Sequence, residues 1–359
     1  NNYGIKCRVC SYGDGLNEIG EIILTDIEEV ITDAEILRRG WVSRQGFIFT
    51  GITHPANIYD AIVIKDPQNV RCFSPVIKES SHNLEEQIEL INREKIEKAM
   101  IIAENIDFIK KCPTLKYLRI IPAENAGDGF DYSPLYEMPE IKSIQCPTVY
   151  GAGERFFTEL DCESLTGLQD IHVTSRGYRN YEKISTLKSL GLSGYKKQDL
   201  TEAFSSPILD TLTIIQCKIK SLEGIQKSSR MQCLYLYYNK YLEDISALQK
   251  IKKSIKALRI ENCPKIKDFS VLGELDHLEL LELSGSNELV DLSFLKTMKS
   301  LKTFVFNMNV KDGDLSLCTG LSYVYSERNR KHYNLKNAEL PKGQYVRGNE
   351  DIEVWRRCE

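Results

Sequence analysis

The first side chains in the sequence that suggest chemistry are Cys7 and Cys10, which form a Cys-x-x-Cys pair. Two thiols at this spacing can bind Zn²⁺ or cycle as a redox dithiol. A tetrahedral zinc site needs four ligands, and no second Cys-x-x-Cys or His-x-x-x-His pair follows in the sequence. We therefore interpret the pair as ordinary structural thiols and predict no metal site.

Neither the glycines nor the histidines form a recognisable catalytic or nucleotide-binding motif. Gly13-Asp14-Gly15 has no strand before it and no Lys-Ser/Thr after it, so it predicts a turn and not a phosphate loop. The histidines, at positions 54, 82, 172, 277 and 332, make no His-Glu-x-x-His and lie in no known nucleophile context. The sequence predicts no cofactor and no enzymatic activity.

Composition limits the classes of protein and partner. The chain has 359 residues, 42% hydrophobic and 27% charged, which is typical of a folded globular protein. A net charge of −4 offers no basic field, so we predict no nucleic-acid partner. No apolar run approaches the roughly 18 residues of a bilayer span, so we predict no membrane association. The sequence starts at Asn1 and not at Met, which leaves removal of a signal peptide open.

The 11 cysteines indicate a compartment. A chain of this length can form a core without disulfides, and an odd count leaves at least one thiol unpaired. We expect mostly free thiols and a cytoplasmic location, where thiols stay reduced. A secreted protein with a few disulfides is the alternative, and a count of free thiols in the denatured protein distinguishes the two.

From residue 96 onward, the elements that position the side chains come from an internal repeat of about 22 residues. Its clearest unit reads Leu209-x-x-Leu212-x-Ile214-x-x-Cys217, and the last of these positions takes Asn in other units. Units in this frame start at residues 96, 115, 141, 168, 187, 209, 231, 255, 278, 301 and 321. Their first, fourth and sixth positions are apolar except at Ser326, as expected if these side chains share one core.

The second halves of three units repeat as well, as Asp-[Ile/Phe/Leu]-Ser-x-Leu beginning at Asp244, Asp268 and Asp291. Together the two patterns resemble the leucine-rich repeat family, and the second resembles the short repeats of bacterial internalin-like proteins. The resemblance implies an α/β solenoid, a leucine-rich repeat horseshoe with a parallel sheet on its concave side. We expect the three aspartates to cap the short helical segments that follow them.

Both ends of the chain depart from the repeat. Residues 1–82 lack it and predict a small α+β or β-rich N-terminal domain. Residues 83–95 have apolar residues at helical spacing and predict a helical lead-in to the solenoid at 96–332. Residues 333–359 predict a C-terminal cap, with Trp355 packed under the last turn.

The third, fifth and seventh positions of each unit alternate with the core positions, so they line the predicted concave face. Tyrosine and arginine, which are enriched in binding hot spots, cluster there. The predicted partner-binding residues are Tyr117, Arg119, His172, Tyr235, Tyr237, the adjacent Tyr238, Arg259, Glu261, Tyr323 and Tyr325. The strand preference of tyrosine and an exposed Arg259–Glu282 pair explain the same residues without a partner, and this alternative stays open.

These expectations favour a non-catalytic protein–protein interaction module that holds a partner protein on its concave face. By analogy alone, a bacterial adaptor or toxin-immunity protein is one version of it. The alternative is an enzyme whose catalytic part is residues 1–82 and whose repeats select the substrate. The sequence leaves the identity of the partner and the oligomeric state open.

Overall fold

The computed structural model describes residues 6–8, 21–23, 47–51, 58–60, 78–80, 84–93, 95, 98–103, 105–122, 130–145, 149–150, 155–156, 159–174 and 176–345. The chain divides into two compact units, with Asn1–Thr158 and Glu350–Glu359 in unit 1 and Glu159–Asn349 in unit 2. Most of residues 1–82, including Cys10, Gly13 and Gly15, and also Trp355, lie outside the described residues. The domain boundaries that the sequence suggests therefore stay predictions.

In its described residues unit 1 has one α-helix, α1 at Leu84–Arg93, and ten strands. The strands are β1 Lys6–Arg8, β2 Glu21–Ile23, β3 Phe47–Gly51, β4 Ile58–Asp60, β5 Lys78–Ser80, β6 Lys98–Ala103, β7 Tyr117–Pro122, β8 Ser143–Gln145, β9 Val149–Tyr150 and β10 Arg155–Phe156. Parallel pairing gives the order β3-β6-β7-β8. Short 3₁₀ helices at Asp107–Lys111 and Ser133–Glu137 follow two of these strands.

Unit 2 is the regular part of the repeat. Its strands are β11 Leu160–Asp161, β12 Asp170–Thr174, β13 Tyr178–Arg179, β14 Ser189–Ser193, β15 Thr211–Ile215, β16 Cys233–Tyr237, β17 Ala257–Glu261, β18 Leu280–Ser284, β19 Glu288–Leu289, β20 Thr303–Phe306, β21 Asn309–Val310 and β22 Tyr323–Ser326. Within the described part of this unit, eight of them form a parallel sheet in the order β12-β14-β15-β16-β17-β18-β20-β22. No helix in the described ranges has the length and apolar character needed to cross a membrane.

The sheet is parallel and in register because each unit repeats the same buried positions. Leu212, Leu234, Leu258 and Leu281 are register partners on successive strands, and each is 0% exposed. Neighbouring strands lie about 4.8 Å apart, so each leucine packs on the equivalent leucine of the next unit. This arrangement confirms the predicted leucine-rich repeat solenoid.

Short 3₁₀ helices return the chain between strands. In unit 2 they lie at Cys162–Ser164, Tyr181–Lys183, Ile225–Lys227, Ser246–Ile251, Ser270–Glu274, Ser293–Lys296, Ser316–Gly320 and Asn337–Glu339. The three aspartates cap these helices from one residue before the N-cap position, which Ile245, Phe269 and Leu292 occupy. The Oδ1 atoms of Asp244, Asp268 and Asp291 accept the N–H of the first helical residue at 2.8, 2.8 and 2.7 Å. Each aspartate thereby fixes the start of the helical turn that follows it.

These caps predict a loss of stability in acid. The pKa of each aspartate is lowered by hydrogen bonds from the serine two residues later. For Asp244 and Asp291 the serine hydroxyl has the larger effect and the backbone N–H the smaller one. For Asp268 the backbone N–H has the larger effect. A carboxyl whose folded pKa is lowered stabilises the fold above its unfolded value and loses that contribution as pH falls through the folded value. We therefore expect the melting temperature to fall as pH is lowered through about 4.

The triple variant Asp244→Asn/Asp268→Asn/Asp291→Asn tests this cause, because asparagine keeps the acceptor oxygen and removes the titration. Its melting temperature should depend less on pH between about pH 5 and pH 3 than that of the unmodified chain. Asp276→Asn, outside these turns, is the matched control. An unchanged pH profile in the triple variant would refute the assignment.

The C-terminal end of unit 2 is covered by residues 327–345. Tyr333, 4% exposed, donates its hydroxyl to Met308 O at 3.2 Å and accepts the N–H of Val310 at 3.0 Å. Asn334 Oδ1 accepts the N–H of Leu315 at 2.8 Å. The aromatic ring under the last regular turn, among the described residues, is therefore Tyr333, whereas the predicted packing of Trp355 falls outside them.

Candidate functional site

The face of the unit 2 sheet opposite the leucine core carries positions three, five and seven of each unit, and we call it the open face. At position three, three successive strands place Cys233, Ala257 and Leu280 in register. These side chains are 3%, 3% and 1% exposed, although they point away from the leucine core. Thr211 and Thr303 occupy the same position on the flanking strands, so the apolar floor is confined to β16, β17 and β18.

Aromatic rings and an ion pair stand on this floor at positions five and seven. Tyr235 and Tyr237 have ring centroids 6.4 Å apart, and Tyr235 packs on the floor with only 3% of its surface exposed. Arg259, the register partner of Tyr235, places its guanidinium carbon 4.9 Å from the centroid of that ring. A cation over an aromatic face is attracted by the ring quadrupole, more so when it is partly desolvated.

Arg259 also pairs with Glu282 across the next strand, with Nε and Oε2 3.0 Å apart. Their side chains are 18% and 25% exposed, so the pair is shielded from water, unlike the surface Lys–Glu pairs elsewhere in this unit. Removing one partner leaves the other charge poorly solvated. We call the seven residues that build this arrangement the aromatic site: Cys233, Tyr235, Tyr237, Ala257, Arg259, Leu280 and Glu282.

A residue from the far end of unit 2 lies on the aromatic site. The hydroxyl of Tyr345 donates to Glu282 Oε1 at 2.5 Å, and its ring meets Tyr323 edge-on at a centroid distance of 5.3 Å. The same ring packs on the apolar floor. Burial, and then the neighbouring Glu282 carboxylate, raise the pKa of Tyr345 above its usual range, so its hydroxyl remains a donor at neutral pH.

Three of the ten predicted partner-binding residues, Tyr235, Tyr237 and Arg259, meet in this site, and Tyr323 reaches it through Tyr345. Tyr325 lies beside Lys342, whose Nζ is 5.4 Å from its ring centroid. Tyr238, just beyond β16, is 48% exposed.

The remaining four predicted residues are not among the seven of the aromatic site, although Glu261 is the register partner of Tyr237. His172 Nε2 is 2.7 Å from Ser193 Oγ on the neighbouring strand. Glu261 lies at the end of β17, where its Oε1 accepts a long 3.4 Å bond from Asn262 Nδ2. Tyr117 and Arg119 lie on β7 and belong to unit 1.

Two parts of the site, the apolar floor and Tyr345, are not among the residues predicted from the sequence. The apolar floor had a signal, because position three changes from threonine at Thr211 to Cys233, Ala257 and Leu280 and back to threonine at Thr303. An apolar run on the face that should be wet indicates that something covers it. Tyr345 carried no such signal, since it is 63 residues from its partner Glu282 and lies outside the repeat.

The described residues contain no group of three or more His, Cys, Asp or Glu side chains placed to hold a metal ion. Six buried cysteines in those ranges are free thiols: Cys112, Cys162, Cys217, Cys233, Cys263 and Cys318. Burial raises the pKa to about 11 for Cys112, Cys217 and Cys263, and to about 12 for Cys162 and Cys318. Because the thiolate is the reactive form, these five thiols lack the low pKa of a nucleophile.

We expect all six buried thiols to resist iodoacetamide at pH 8 in the native protein and to react once it is unfolded, since burial shields all six from the reagent and the raised pKa keeps five of them protonated. Peptide-resolved mass spectrometry reads each cysteine separately. A cysteine introduced by Leu317→Cys, at a position 36% exposed, is the positive control. Labelling of the six native thiols as fast as of that control would contradict the expectation.

A scan of protein-family models and a search of curated protein sequences found no match. Among solved structures, the internalin InlF of Listeria monocytogenes aligns with a TM-score of 0.41 and 17% identity over 67% of this chain and 83% of that one. The functional domain of InlJ from the same organism, which includes a cysteine ladder, aligns with a TM-score of 0.41 and 14% identity over 69% of this chain and 61% of that one. The chain is similar to internalins. Its leucine-rich repeat fold follows from its own periodicity and its register-matched parallel strands.

Proposed function

We propose that the open face of unit 2 binds a partner protein and that the aromatic site is the centre of the interface. The observation that carries this proposal is the apolar floor of Cys233, Ala257 and Leu280 on the sheet face opposite the core. Large aromatic rings and a shielded Arg–Glu pair above an apolar floor are the composition of interface hot spots. Thr211 and Thr303 replace these apolar side chains on the flanking strands and are themselves buried, at 2% and 0% exposed.

A second, more specific proposal concerns the biological role of the complex. We propose a non-catalytic bacterial adaptor in the cytoplasm, such as a protein that neutralises a toxin. The Asp-[Ile/Phe/Leu]-Ser-x-Leu elements support the bacterial assignment, and six buried free thiols support a reducing compartment. Protein purified from its host without reductant should carry all 11 cysteines as thiols if the compartment is correct, and intact mass after alkylation under denaturing conditions counts them.

The partner-binding proposal is tested with a photo-crosslinking phenylalanine analogue introduced into the full chain at Tyr238, whose side chain is 48% exposed at the end of β16. Irradiation in host cells should yield a crosslinked protein, identified by mass spectrometry. The same analogue at Leu317, which is 36% exposed in the 3₁₀ helix Ser316–Gly320 between strands, is the control and should not capture it. Equal capture at both positions, or none at Tyr238, would remove the open face as the interface.

A second variant measures the contribution of the site to the same crosslink. Tyr237→Ala removes a half-buried ring from the aromatic site and should reduce the yield at Tyr238 at least about tenfold, as expected for a hot-spot residue. Tyr235 is unsuitable for this purpose, because it is 3% exposed and its removal also disturbs the fold. A full yield from Tyr237→Ala would place the partner elsewhere on the open face.

A further inference from the structure

We propose that the aromatic site is a receptor for one tyrosine side chain carried on an extended peptide segment, with residues 341–345 of this chain as its resident ligand. The partner protein displaces this resident segment by presenting a tyrosine of its own. The displacement step rests on the proposed function, whereas the receptor assignment rests on the contacts of residues 341–345.

The first support is the fit of the ring. Cys233 and Ala257 are short side chains at position three, and together with Leu280 they form an apolar floor that lies under Tyr345. Tyr323 meets the ring edge-on at a centroid distance of 5.3 Å, and Tyr237 packs on the same floor. Edge-to-face pairs of this kind add to the gain from apolar burial.

The second support is the polar end of the site. Glu282 Oε2 is held 3.0 Å from Arg259 Nε, and its other oxygen accepts the Tyr345 hydroxyl at 2.5 Å. The carboxylate is thus positioned by one strand partner and offers its remaining oxygen to a phenol. A phenylalanine in the same place would fill the floor and leave that oxygen without its donor, so the site should discriminate tyrosine from phenylalanine.

The third support is the backbone of the resident segment. Pro341 O accepts the N–H of Val324 at 2.8 Å, and the N–H of Gly343 donates to Ser322 O at 2.9 Å. An antiparallel bridge also joins Lys342 to Tyr323 on the edge strand β22. Addition of an extended segment to an exposed sheet edge is a known mode of peptide recognition, in which backbone bonds give affinity and side-chain pockets give specificity.

The edge also imposes a small residue two positions before the tyrosine. A Cβ on Gly343 would lie 2.8 Å from Ser322 O, which is backbone and cannot move aside without breaking the bridge. The site should therefore accept peptides with the motif Gly-x-Tyr, in which x is any residue. The resident Gly343-Gln344-Tyr345 has this form.

A tethered ligand competes through its effective concentration, which is of millimolar order for a short flexible connection. A partner therefore meets an open site only in the fraction of molecules whose resident segment has left, and its apparent affinity falls by that fraction. Opening the site by substitution should raise affinity for a tyrosine peptide in trans.

The test uses the full chain and a fluorescein-labelled synthetic peptide of residues 341–347. In the opened variant Gly343→Val/Tyr345→Ala, the valine clashes with Ser322 O and prevents the strand pairing, and the alanine removes the ring. Circular dichroism checks that the variant is folded. By fluorescence anisotropy the peptide should bind the opened variant at least about tenfold more tightly than the unmodified chain. Tyr345→Ala alone should give an intermediate gain, and Tyr241→Ala, the matched control, should give none.

Three further measurements make the result specific. A peptide with alanine in place of its tyrosine should lose at least about tenfold in affinity for the opened variant, and one with phenylalanine should fall between the two. Adding Glu282→Gln to the opened variant should shrink the tyrosine-over-phenylalanine preference. Equal binding of the alanine and tyrosine peptides, or equal binding to the opened and unmodified chains, would overturn the inference.

These outcomes separate the inference from the proposed function. A partner crosslinked at Tyr238 together with a peptide that does not bind the opened variant would keep the interface and reject the tyrosine receptor. A peptide that binds the opened variant as described, with no partner crosslinked, would keep the receptor assignment for the resident segment and reject the displacement step.

Discussion

Leu236→Ala is expected to lower the free energy of unfolding of unit 2 by about 2–5 kcal/mol. Leu236 is 0% exposed and lies between its register partners Ile214 and Ile260, which are 0% and 1% exposed. Truncation removes three buried carbons and leaves a cavity that two well-packed neighbours can fill only in part. In a stack of repeats the loss falls on both flanking contacts at once.

Urea unfolding followed by hydrogen exchange of β15, β16 and β17 is the appropriate measurement, because two compact units need not unfold in a single transition. Val290→Ala removes apolar carbons from a side chain that is 76% exposed and should change stability by less than about 0.5 kcal/mol. A Leu236→Ala effect as small as that of the control would show that the leucine stack contributes little to this unit.

The parts of the fold that could be predicted are those repeated or fixed locally. Each unit must bury the same three apolar positions, so the period alone aligned Leu212, Leu234 and Leu258 on neighbouring strands. The aspartate caps at Asp244 and Asp268 were predictable because the bond spans only two residues.

In the candidate site, too, the contacts between neighbouring repeats were predictable and the long-range contact was not. Tyr235 and Arg259 were found because a parallel sheet in register places equal positions side by side. The Arg259–Glu282 pair was expected as an exposed contact of little consequence, but its side chains are only 18% and 25% exposed and the Tyr345 hydroxyl bonds to Glu282. A local sequence pattern does not show where a segment outside the repeat packs on a sheet. The contact between Tyr345 and Glu282, which are 63 residues apart, could therefore not be predicted from the sequence.

Asparagines at the ninth position show how equal positions in the pattern can differ in structure. Asn239 is 0% exposed, its Oδ1 accepts the N–H of Cys217 at 2.9 Å, and its Nδ2 donates to Ile214 O at 2.9 Å. Asn309 occupies the same place in the pattern, but its Nδ2 donates to Glu288 Oε1 at 2.8 Å in an exposed contact. Only the first asparagine joins two buried backbone groups of the preceding unit.

Asn239→Ala should therefore destabilise unit 2 by about 1–3 kcal/mol, because it leaves the N–H of Cys217 buried without its acceptor and removes a second hydrogen bond from Ile214 O. Asn309→Ala, the matched control, breaks one exposed side-chain contact and should cost less than about 1 kcal/mol. Thermal and urea unfolding of both variants measure the difference, and hydrogen exchange should locate the loss of protection for Asn239→Ala at the amide of Cys217. If the two substitutions cost the same, the buried amide does not hold the bend, and the apolar positions alone must fix the turn between strands.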